Sequence, residues 1–337
     1  MLNEQAIDHV RATFTAGKPP KNVRASNYFG QHRILRRFTR FALGSRLFSA
    51  AGSFSYRLNG EQKRIEFNGR NLQFHAIYDL QYRNGYEIET ALLLAHLCCD
   101  NEAFWDIGAN WGYFSLLAAS LPDFFGKIEA FEPNPRTFND LVSTVNQAGL
   151  TARIHNHNLG AGSRCCEMVV AETDQFTSGL SKLATNGSGA KIPVTTLDEF
   201  KAPQPGFIKI DAEGMELDIL KGATRLMREA KPFLAFENFA DYLAPTETLL
   251  PIEFLQANGY EVFIPVLHFN IHHANLLATY GSDYNSLFES DARPRLHLVQ
   301  LNPEKRFLYA HQLNLLGVHV SRLADLRARG LPVLSAA

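Results

Sequence analysis

Short apolar runs alternate with helical segments across the middle of this 337-residue chain, from Phe104 to Val266. A chain that alternates in this way forms a mostly parallel sheet, because each connecting helix packs back onto one face of the sheet. We therefore expect a Rossmann-like, doubly wound α/β fold with a mostly parallel seven-stranded sheet. The seven predicted strands are AFWDI, KIEAFE, ARIHNHN, GFIKID, FLAFEN, YEVFIPV and LHLVQL.

The bulk composition is that of an ordinary globular protein. Hydrophobic residues make up 46% of the chain and charged residues 20%. No apolar run reaches the roughly 18 residues of a membrane span, and the first ten residues lack the character of a secretory signal. The four cysteines form two adjacent pairs, at 98–99 and 165–166, without the spacing of a metal site or a disulfide framework. We expect buried thiols and a cytoplasmic protein.

Charge is distributed unevenly along the chain. Between His9 and Gly60 there are ten Lys and Arg residues and no Asp or Glu. Within this stretch, residues 33–46 predict a basic amphipathic helix. Two interpretations stay open: the helix contacts an anionic membrane surface or an acidic partner, or it packs on the core with its arginines in solvent.

A glycine-containing loop follows the first predicted core strand. Gly108, Asn110 and Gly112 give the pattern GxNxG, whereas a dinucleotide-binding loop has GxGxxG. Asp106 ends the strand just before this loop, and a carboxylate suits a ligand with a cationic group better than a diphosphate. Glu132 ends the second strand, where an acid accepts hydrogen bonds from both ribose hydroxyls. The pattern favours S-adenosylmethionine as the ligand.

Five segments of the chain resemble the FkbM-type methyltransferases, a class I family that depends on S-adenosylmethionine. The resemblance runs from about Gly85 to Val266 and implies the class I methyltransferase fold. It divides the chain into a basic helical and hairpin extension (1–84), a methyltransferase core (85–266) and a C-terminal extension that completes the sheet (267–337). The five segments are FWDIGANWGYFSLLAA, IEAFEPNPRTFNDL, VTTLDEF, FIKIDAEGMELDILKGA and PFLAFEN.

The resemblance also implies which residues bind the cofactor. Glu132 would take the ribose, Asn158 with Leu159 would border the adenine, and Glu87 beside Tyr86 would help to close the site. The loop around the methionine part would consist of Asp106, Gly108, Asn110 and Gly112.

Methyl transfer to a hydroxyl needs an aligned acceptor and a base for its proton. The carboxyl end of the fourth strand is the nearest place that the fold offers, and it carries Asp211 followed by Glu213. We predict both as catalytic, with Asp211 as the base or as the group that orients the acceptor. In the alternative interpretation Asp211 only binds the cofactor and Glu213 caps the next helix. Lys209 is interpreted as a strand residue paired with a neighbouring carboxylate.

A metal-assisted reaction is an alternative within the same fold. Asp211, Glu237 and Asn238 would supply three hard oxygen ligands to a divalent ion, which could acidify a substrate hydroxyl. Glu237 and Asn238 could equally hydrogen-bond the substrate or the next loop, and the preferred interpretation of the site includes no metal.

These observations predict an S-adenosylmethionine-dependent methyltransferase that acts on a hydroxyl of a small molecule, sugar or glycolipid precursor. Neither an aromatic Asn/Asp-Pro-Pro motif nor a Pro-Cys pair follows the fourth strand, so a nucleic-acid base is not the expected acceptor. Two alternatives stay open: a metal-assisted O-methyltransferase, and a catalytically inactive partner subunit that binds S-adenosylmethionine. The sequence carries no signal for an oligomeric state.

Overall fold

The structure is a computed structural model that describes residues 3–20, 50–78, 85–171, 183–184, 189–267 and 296–334. The predicted basic helix at 33–46 lies outside these residues. Among the described helices, none combines the length and the apolar character that crossing a bilayer requires.

The N-terminal part forms a helix beside a small antiparallel sheet. Asn59 and Gly60, both with positive φ, make the tight turn of its hairpin. A 3₁₀ helix at 72–77 follows the hairpin. The elements of this N-terminal unit are α1 (Asn3–Thr13), β1 (Phe14–Ala16), β2 (Ala51–Leu58) and β3 (Glu61–Asn68).

Strands and helices alternate over 88–157 and 205–267, as the sequence pattern predicts, whereas 160–195 contributes four described strands and no described helix. Two further 3₁₀ helices occupy 303–308 and 320–322. In chain order the strands and α-helices are α2 (Ile88–Leu97), β4 (Ala103–Ile107), α3 (Tyr113–Ser120), β5 (Ile128–Phe131), α4 (Pro135–Ala148), β6 (Ile154–His157), β7 (Gly160–Ala161), β8 (Cys166–Ala171), β9 (Leu183–Ala184), β10 (Gly189–Thr195), β11 (Pro205–Ile210), α5 (Glu216–Lys221), α6 (Thr224–Glu229), β12 (Phe233–Phe239), α7 (Pro245–Ala257), β13 (Tyr260–Leu267), β14 (Leu296–Gln300), β15 (Gln312–His319), α8 (Leu323–Ala328) and β16 (Val333–Leu334).

The central sheet has the strand order β16-β14-β13-β15-β12-β11-β4-β5-β6. Strands β6, β5, β4, β11 and β12 are mutually parallel, and β15 lies antiparallel between β12 and β13. The predicted class I methyltransferase fold is thereby confirmed. A separate four-stranded sheet is formed by β7, β10, β8 and β9.

Two details of the predicted sheet are wrong. The described sheet has nine strands rather than seven, and the segment predicted as the seventh strand is β14, which pairs outside β13. The strand inserted between β12 and β13 is β15, which pairs antiparallel with both. Both segments are apolar enough for a strand, and only the three-dimensional pairing decides which of them enters the gap.

Successive strand residues divide the core into two layers. In β4, Phe104 packs in the cluster that includes Leu92 of α2 and Leu116 of α3. Trp105, the next residue, packs in the other cluster with Ile219 of α5 and with residues of α6 and α7. Adjacent side chains of a strand point to opposite faces, and both faces of this sheet are apolar because both carry helices.

The N-terminal unit shares a hydrophobic core with the sheet. Phe14 stacks on Tyr113 with ring centroids 4.6 Å apart, and Phe74 stacks on Trp111 at 4.7 Å. Aromatic pairs of this kind contribute about 0.5–1.5 kcal/mol beyond their buried area. The unit therefore supports the loop between β4 and α3 from outside. The divisions at residues 84 and 266 remain predictions.

Arg306 is a buried cation that anchors the end of β12. Its side chain is fully buried and donates to the side-chain and backbone oxygens of Asn238, at 2.5 and 2.7 Å. It also donates to the backbone oxygens of Ala310 and His311, at 2.9 and 3.1 Å. Burial lowers the pKa of Arg306 to about 10, so the guanidinium remains charged at neutral pH.

We expect Arg306→Met to lower the free energy of unfolding by about 3 kcal/mol, because the exchange leaves a buried amide and buried carbonyls without their donor. Urea denaturation measures the loss. The matched control is Arg327→Met in α8, at an exposed position, where the expected change is within about 0.5 kcal/mol. Equal stability of the two variants would contradict the anchoring role.

Candidate active site

A cavity of about 310 Å³ opens at the carboxyl ends of β4, β5, β11 and β12. In an open α/β sheet this edge is where ligands bind. The lining combines a polar floor with an aromatic wall. Residues that line it include Gln73, Tyr86, Glu87, Asn110, Trp111, Tyr113, Phe114, Glu132, Leu159, Lys209, Asp211, Glu213, Glu237, Phe239 and Gln312.

The loop between β4 and α3 has glycine where the backbone itself requires it. Gly108 has φ 79°, and a Cβ at this position would lie 1.8 Å from the carbonyl oxygen of Asp211. The Asp211 amide donates to the Ile107 carbonyl at 3.0 Å, so the ends of β4 and β11 are pinned together. Gly112, at φ 95°, is the residue that precedes α3. Gly108 therefore permits the close approach of two strand ends, while the loop still lines the cavity.

Glu132 lies at the predicted position in the cavity wall. Its carboxylate accepts from the backbone amides of Asn110 at 3.0 Å and Asn134 at 2.8 Å. The residue is only 6% exposed, and burial raises the pKa of its carboxyl to about 8. Each carboxylate oxygen has further lone-pair capacity, so this group can still accept hydrogen bonds from ligand hydroxyls.

Asn158 supports Glu132 and does not line the cavity. Its side-chain amide donates to the backbone oxygens of Glu132 and Pro133, at 2.8 and 3.0 Å. The next residue, Leu159, is the one that lines the cavity. The structure therefore brings Leu159, but not the Asn158 side chain, to the ligand side.

Asp106 lies beneath the cavity floor. It is fully buried and accepts from the Ser115 hydroxyl at 2.7 Å, while the Lys209 ammonium lies 3.7 Å from its other oxygen. Burial raises its pKa, and the Lys209 charge opposes that rise. The cavity is not lined by Asp106. Asp106 lies within β4, one residue before its end, and not in the loop; its side chain contacts the lysine and not the cavity.

Lys209 joins the floor to the cavity. Its ammonium donates to Asp211 at 3.0 Å and lies 5.0 Å from the ring centroid of Phe114. The neighbouring carboxylates Asp211, Asp106 and Glu87 raise its pKa against the effect of burial. Lys209 is therefore a charged, paired residue, as predicted, and not a base.

Besides Glu132, four carboxylates line the same cavity as Lys209, those of Glu87, Asp211, Glu213 and Glu237. One oxygen each of Asp211, Glu213 and Glu237 lies within 4.8 Å of the others. Burial and the charge of Asp211 raise the pKa of Glu237, and the same two causes raise the pKa of Glu87. This part of the cavity is therefore suited to a cationic ligand.

Two amides of β15 contact these buried acids. The Gln312 amide donates to Oε1 of Glu237, and the Asn314 amide donates to Oε2 of Glu87 at 3.2 Å. Sequence analysis missed both residues because it did not assign β15. Their i, i+2 spacing in QLNLLGV places them on one side of a strand, and this was the available signal.

Asn238 does not join the carboxylates, which corrects the predicted ligand set of the metal alternative. Its amide donates to the Thr248 carbonyl at 2.9 Å, and its oxygen is held by Arg306. Neighbours in a strand face opposite sides, so Glu237 and Asn238 cannot both point into the cavity. Glu213 supplies the third oxygen instead.

The loop after β11 presents Glu213 through unusual backbone angles. Glu213 and Gly214 have φ values of 51° and 99°. Glu216, at the start of α5, accepts from the amides of Ala212 at 3.3 Å and Gly214 at 3.1 Å. The carboxylate that holds this turn is therefore Glu216, whereas Glu213 faces the cavity.

Residues 106–262 match the Methyltransferase FkbM domain family. The match covers somewhat less than half of the chain. Members of the family use S-adenosylmethionine as the methyl donor.

Among the similar proteins is the hexuronic acid methyltransferase AglP of Haloferax volcanii, 29% identical over 146 residues that cover 42% of this chain and 58% of that protein. A methyltransferase FkbM structure from Methylobacillus flagellatus is 25% identical, covers 49% of this chain and 40% of its own, and has a TM-score of 0.37. A precorrin-6y C5,15-methyltransferase from Geobacter metallireducens is 16% identical, covers 71% and 91%, and has a TM-score of 0.38. The chain thus spans little more than half of the first relative.

We expect the buried acids to make the ligand-free protein less stable as the pH rises. A carboxyl whose pKa is raised on folding keeps a proton that the unfolded chain releases. The free energy of unfolding therefore falls by up to about 1.4 kcal/mol per pH unit for each such group. Between about pH 6.5 and pH 8 the effect of Glu132 and Glu237 should lower the thermal midpoint. Differential scanning fluorimetry across this range measures it.

Glu237→Gln removes one of these groups and keeps the oxygen that Gln312 contacts, so its midpoint should fall less steeply with pH. Glu102→Gln is the matched control, because Glu102 immediately precedes β4 at the opposite edge of the sheet. Parallel curves for the wild type and Glu237→Gln would refute the raised pKa of Glu237.

Proposed function

We propose that this protein transfers a methyl group from S-adenosylmethionine to a hydroxyl of a sugar or of a sugar-containing small molecule. The observation that carries the proposal is the placement of Glu132, the β4–α3 loop and Asp211 in one cavity at the carboxyl edge of a class I sheet. The relative named for hexuronic acid supports a sugar as the class of acceptor.

The residues of the cavity fit S-adenosylmethionine, which supplies a methyl group already activated on a sulfonium. Glu132 would accept hydrogen bonds from the ribose hydroxyls, and Leu159 would contact the adenine. The loop at 108–112 would surround the methionine part. Glu87 and Asp211 would lie near the positive charges of the sulfonium and the ammonium, and negative groups there are favourable.

Asp211 is proposed as the group that accepts the proton of the acceptor. Its carboxylate is 31% exposed, and the Lys209 ammonium holds Oδ2 at 3.0 Å, which fixes the direction of the group. As the acceptor oxygen bonds to the methyl carbon, the C–S bond breaks with its electron pair going to sulfur, and the hydroxyl proton passes to the carboxylate.

The charges of the cavity favour a hydroxyl acceptor over an anionic one. Glu87, Asp211, Glu213 and Glu237 all line it, and among the described lining residues Lys209 is the only cation. That lysine is already paired with Asp211. Carboxylates at this spacing can accept hydrogen bonds from several hydroxyls of one sugar. They repel a carboxylate, so the acid group of an acidic sugar would have to lie away from them.

We expect Glu132→Gln to weaken binding of S-adenosylhomocysteine, the demethylated product, by about 10-fold or more, because an NH2 donor replaces one of the two oxygens that can accept hydrogen bonds from the ribose. Isothermal titration calorimetry measures the dissociation constant. The matched control is Glu129→Gln in the same strand, where the buried carboxylate pairs with His155 and His157 outside the cavity. Equal affinity of both variants would contradict the ribose role.

We expect Asp211→Asn to keep the affinity for S-adenosylhomocysteine within a few-fold and to lower turnover by about 100-fold or more, because the amide cannot accept the proton. Turnover is followed as methyl transfer to a panel of glycosides with free hydroxyls. Wild-type turnover in this variant would remove Asp211 from the mechanism. A wild type that binds S-adenosylmethionine but transfers no methyl group to any acceptor would favour the inactive partner subunit.

A further inference from the structure

We propose that Asp211, Glu213 and Glu237 bind one divalent cation of the Mg²⁺ or Ca²⁺ type, which coordinates the hydroxyl oxygens of the acceptor. The inference rests on the proposed function, because it places the ion where the acceptor is expected. It replaces the ligand set expected from sequence, in which Asn238 took the place of Glu213.

The distances between the three carboxylates suit one ion. One oxygen from each residue lies within 4.8 Å of the other two. Mg²⁺ holds oxygens at about 2.1 Å and Ca²⁺ at about 2.3–2.6 Å, so two ligands of one ion lie at most about 4–5 Å apart. The mutual distances of the three oxygens are within this range. All three carboxylates also line the cavity, from which an ion and its water molecules can enter.

An unsatisfied buried oxygen points independently to a missing ligand. Glu237 is 7% exposed, and its Oε1 accepts from the Gln312 amide. Its other oxygen, Oε2, is buried and makes no hydrogen bond within the described part of the chain. A buried carboxylate oxygen without a partner is costly, and such groups normally have a hydrogen bond or a metal ion. Because Glu237 lines the cavity beside Asp211 and Glu213, a cation there would satisfy it.

Lys209 does not take the place of such an ion. Its ammonium lies between Asp106 and Asp211, at 3.7 and 3.0 Å, on the floor side of the cluster. It contacts Oδ2 of Asp211, which leaves Oδ1 for a metal. Glu213 and Glu237 line the same cavity.

A bound divalent cation would also explain how a sugar is held among carboxylates. Neighbouring hydroxyls of a sugar can occupy the remaining coordination positions of the ion, which orients one oxygen for methyl transfer. A hydroxyl bound to a divalent ion is more acidic than a free hydroxyl and gives up its proton more readily. A carboxylate that binds the ion through one oxygen can still accept this hydroxyl proton. The proton therefore passes to Asp211, as in the proposed function.

The test is a titration of the chelator-treated full chain with Mn²⁺, a probe whose free ion is counted by electron paramagnetic resonance. The titration is done with saturating S-adenosylhomocysteine. We expect one Mn²⁺ per chain, displaced by excess Mg²⁺ or Ca²⁺. Glu237→Gln should weaken Mn²⁺ binding by about 10-fold or more, and the control Glu102→Gln should bind as the wild type does.

The outcomes separate this inference from the proposed function. The metal site is overturned if S-adenosylhomocysteine binds but Mn²⁺ does not. It is also overturned if Glu237→Gln binds Mn²⁺ as tightly as the wild type does. In either case the acids serve the cationic S-adenosylmethionine alone. Full turnover in excess chelator would overturn it as well. If S-adenosylhomocysteine itself does not bind to the wild type, the proposed function fails first.

Discussion

The two ion pairs of the Lys209 ammonium are the interactions on which the site depends. The ammonium lies between the fully buried Asp106 and the partly exposed Asp211, and so it offsets two negative charges at the junction of β4 and β11. A buried ion left without its partner costs several kcal/mol, so the fully buried Asp106 could not stay charged at this place without the lysine. Because the positive charge of Lys209 compensates the negative charge at the cavity floor, the other carboxylates can face the cavity.

The compensation of carboxylate charge decreases from Asp106, beneath the cavity floor, to Glu237 in the cavity lining. Beneath the floor, Asp106 has the Ser115 hydroxyl and the Lys209 charge, whereas Glu237 has only the neutral amide of Gln312. One oxygen of each carboxylate is buried without a hydrogen bond, but only that of Asp106 has a cation 3.7 Å away. Burial of acids that are not fully compensated lowers the stability of the ligand-free protein. Functional sites commonly contain such groups, because a ligand that brings the opposite charge recovers the loss on binding.

The positions of the strand-end acids could be predicted from the sequence, but their partners could not. Alternating strands and helices place Glu132, Asp211 and Glu237 at one edge of a parallel sheet, whatever the details of packing. The alternation of side chains along β12 already excludes Asn238 from the same cavity as Glu237. By contrast, Gln312 reaches the site only because β15 enters the sheet between β12 and β13, and that pairing depends on the whole fold. Likewise Asp106 ends β4 as expected, but its burial depends on how α3 and Lys209 pack.

The glycine loop illustrates how one motif can have two physical causes. The glycine pattern resembles that of a ligand-binding loop. The group that forbids a side chain at Gly108, however, is the Asp211 carbonyl and not a ligand. The backbone of Asn110, two residues later, donates to Glu132. A substitution at Gly108 would therefore separate the strand ends that carry Asp211, and it would also disturb the loop that contacts Glu132. The Glu132 side and the Asp211 side of the cavity are thus coupled through the backbone of a single turn, supported from outside by the stacking of Phe74 on Trp111.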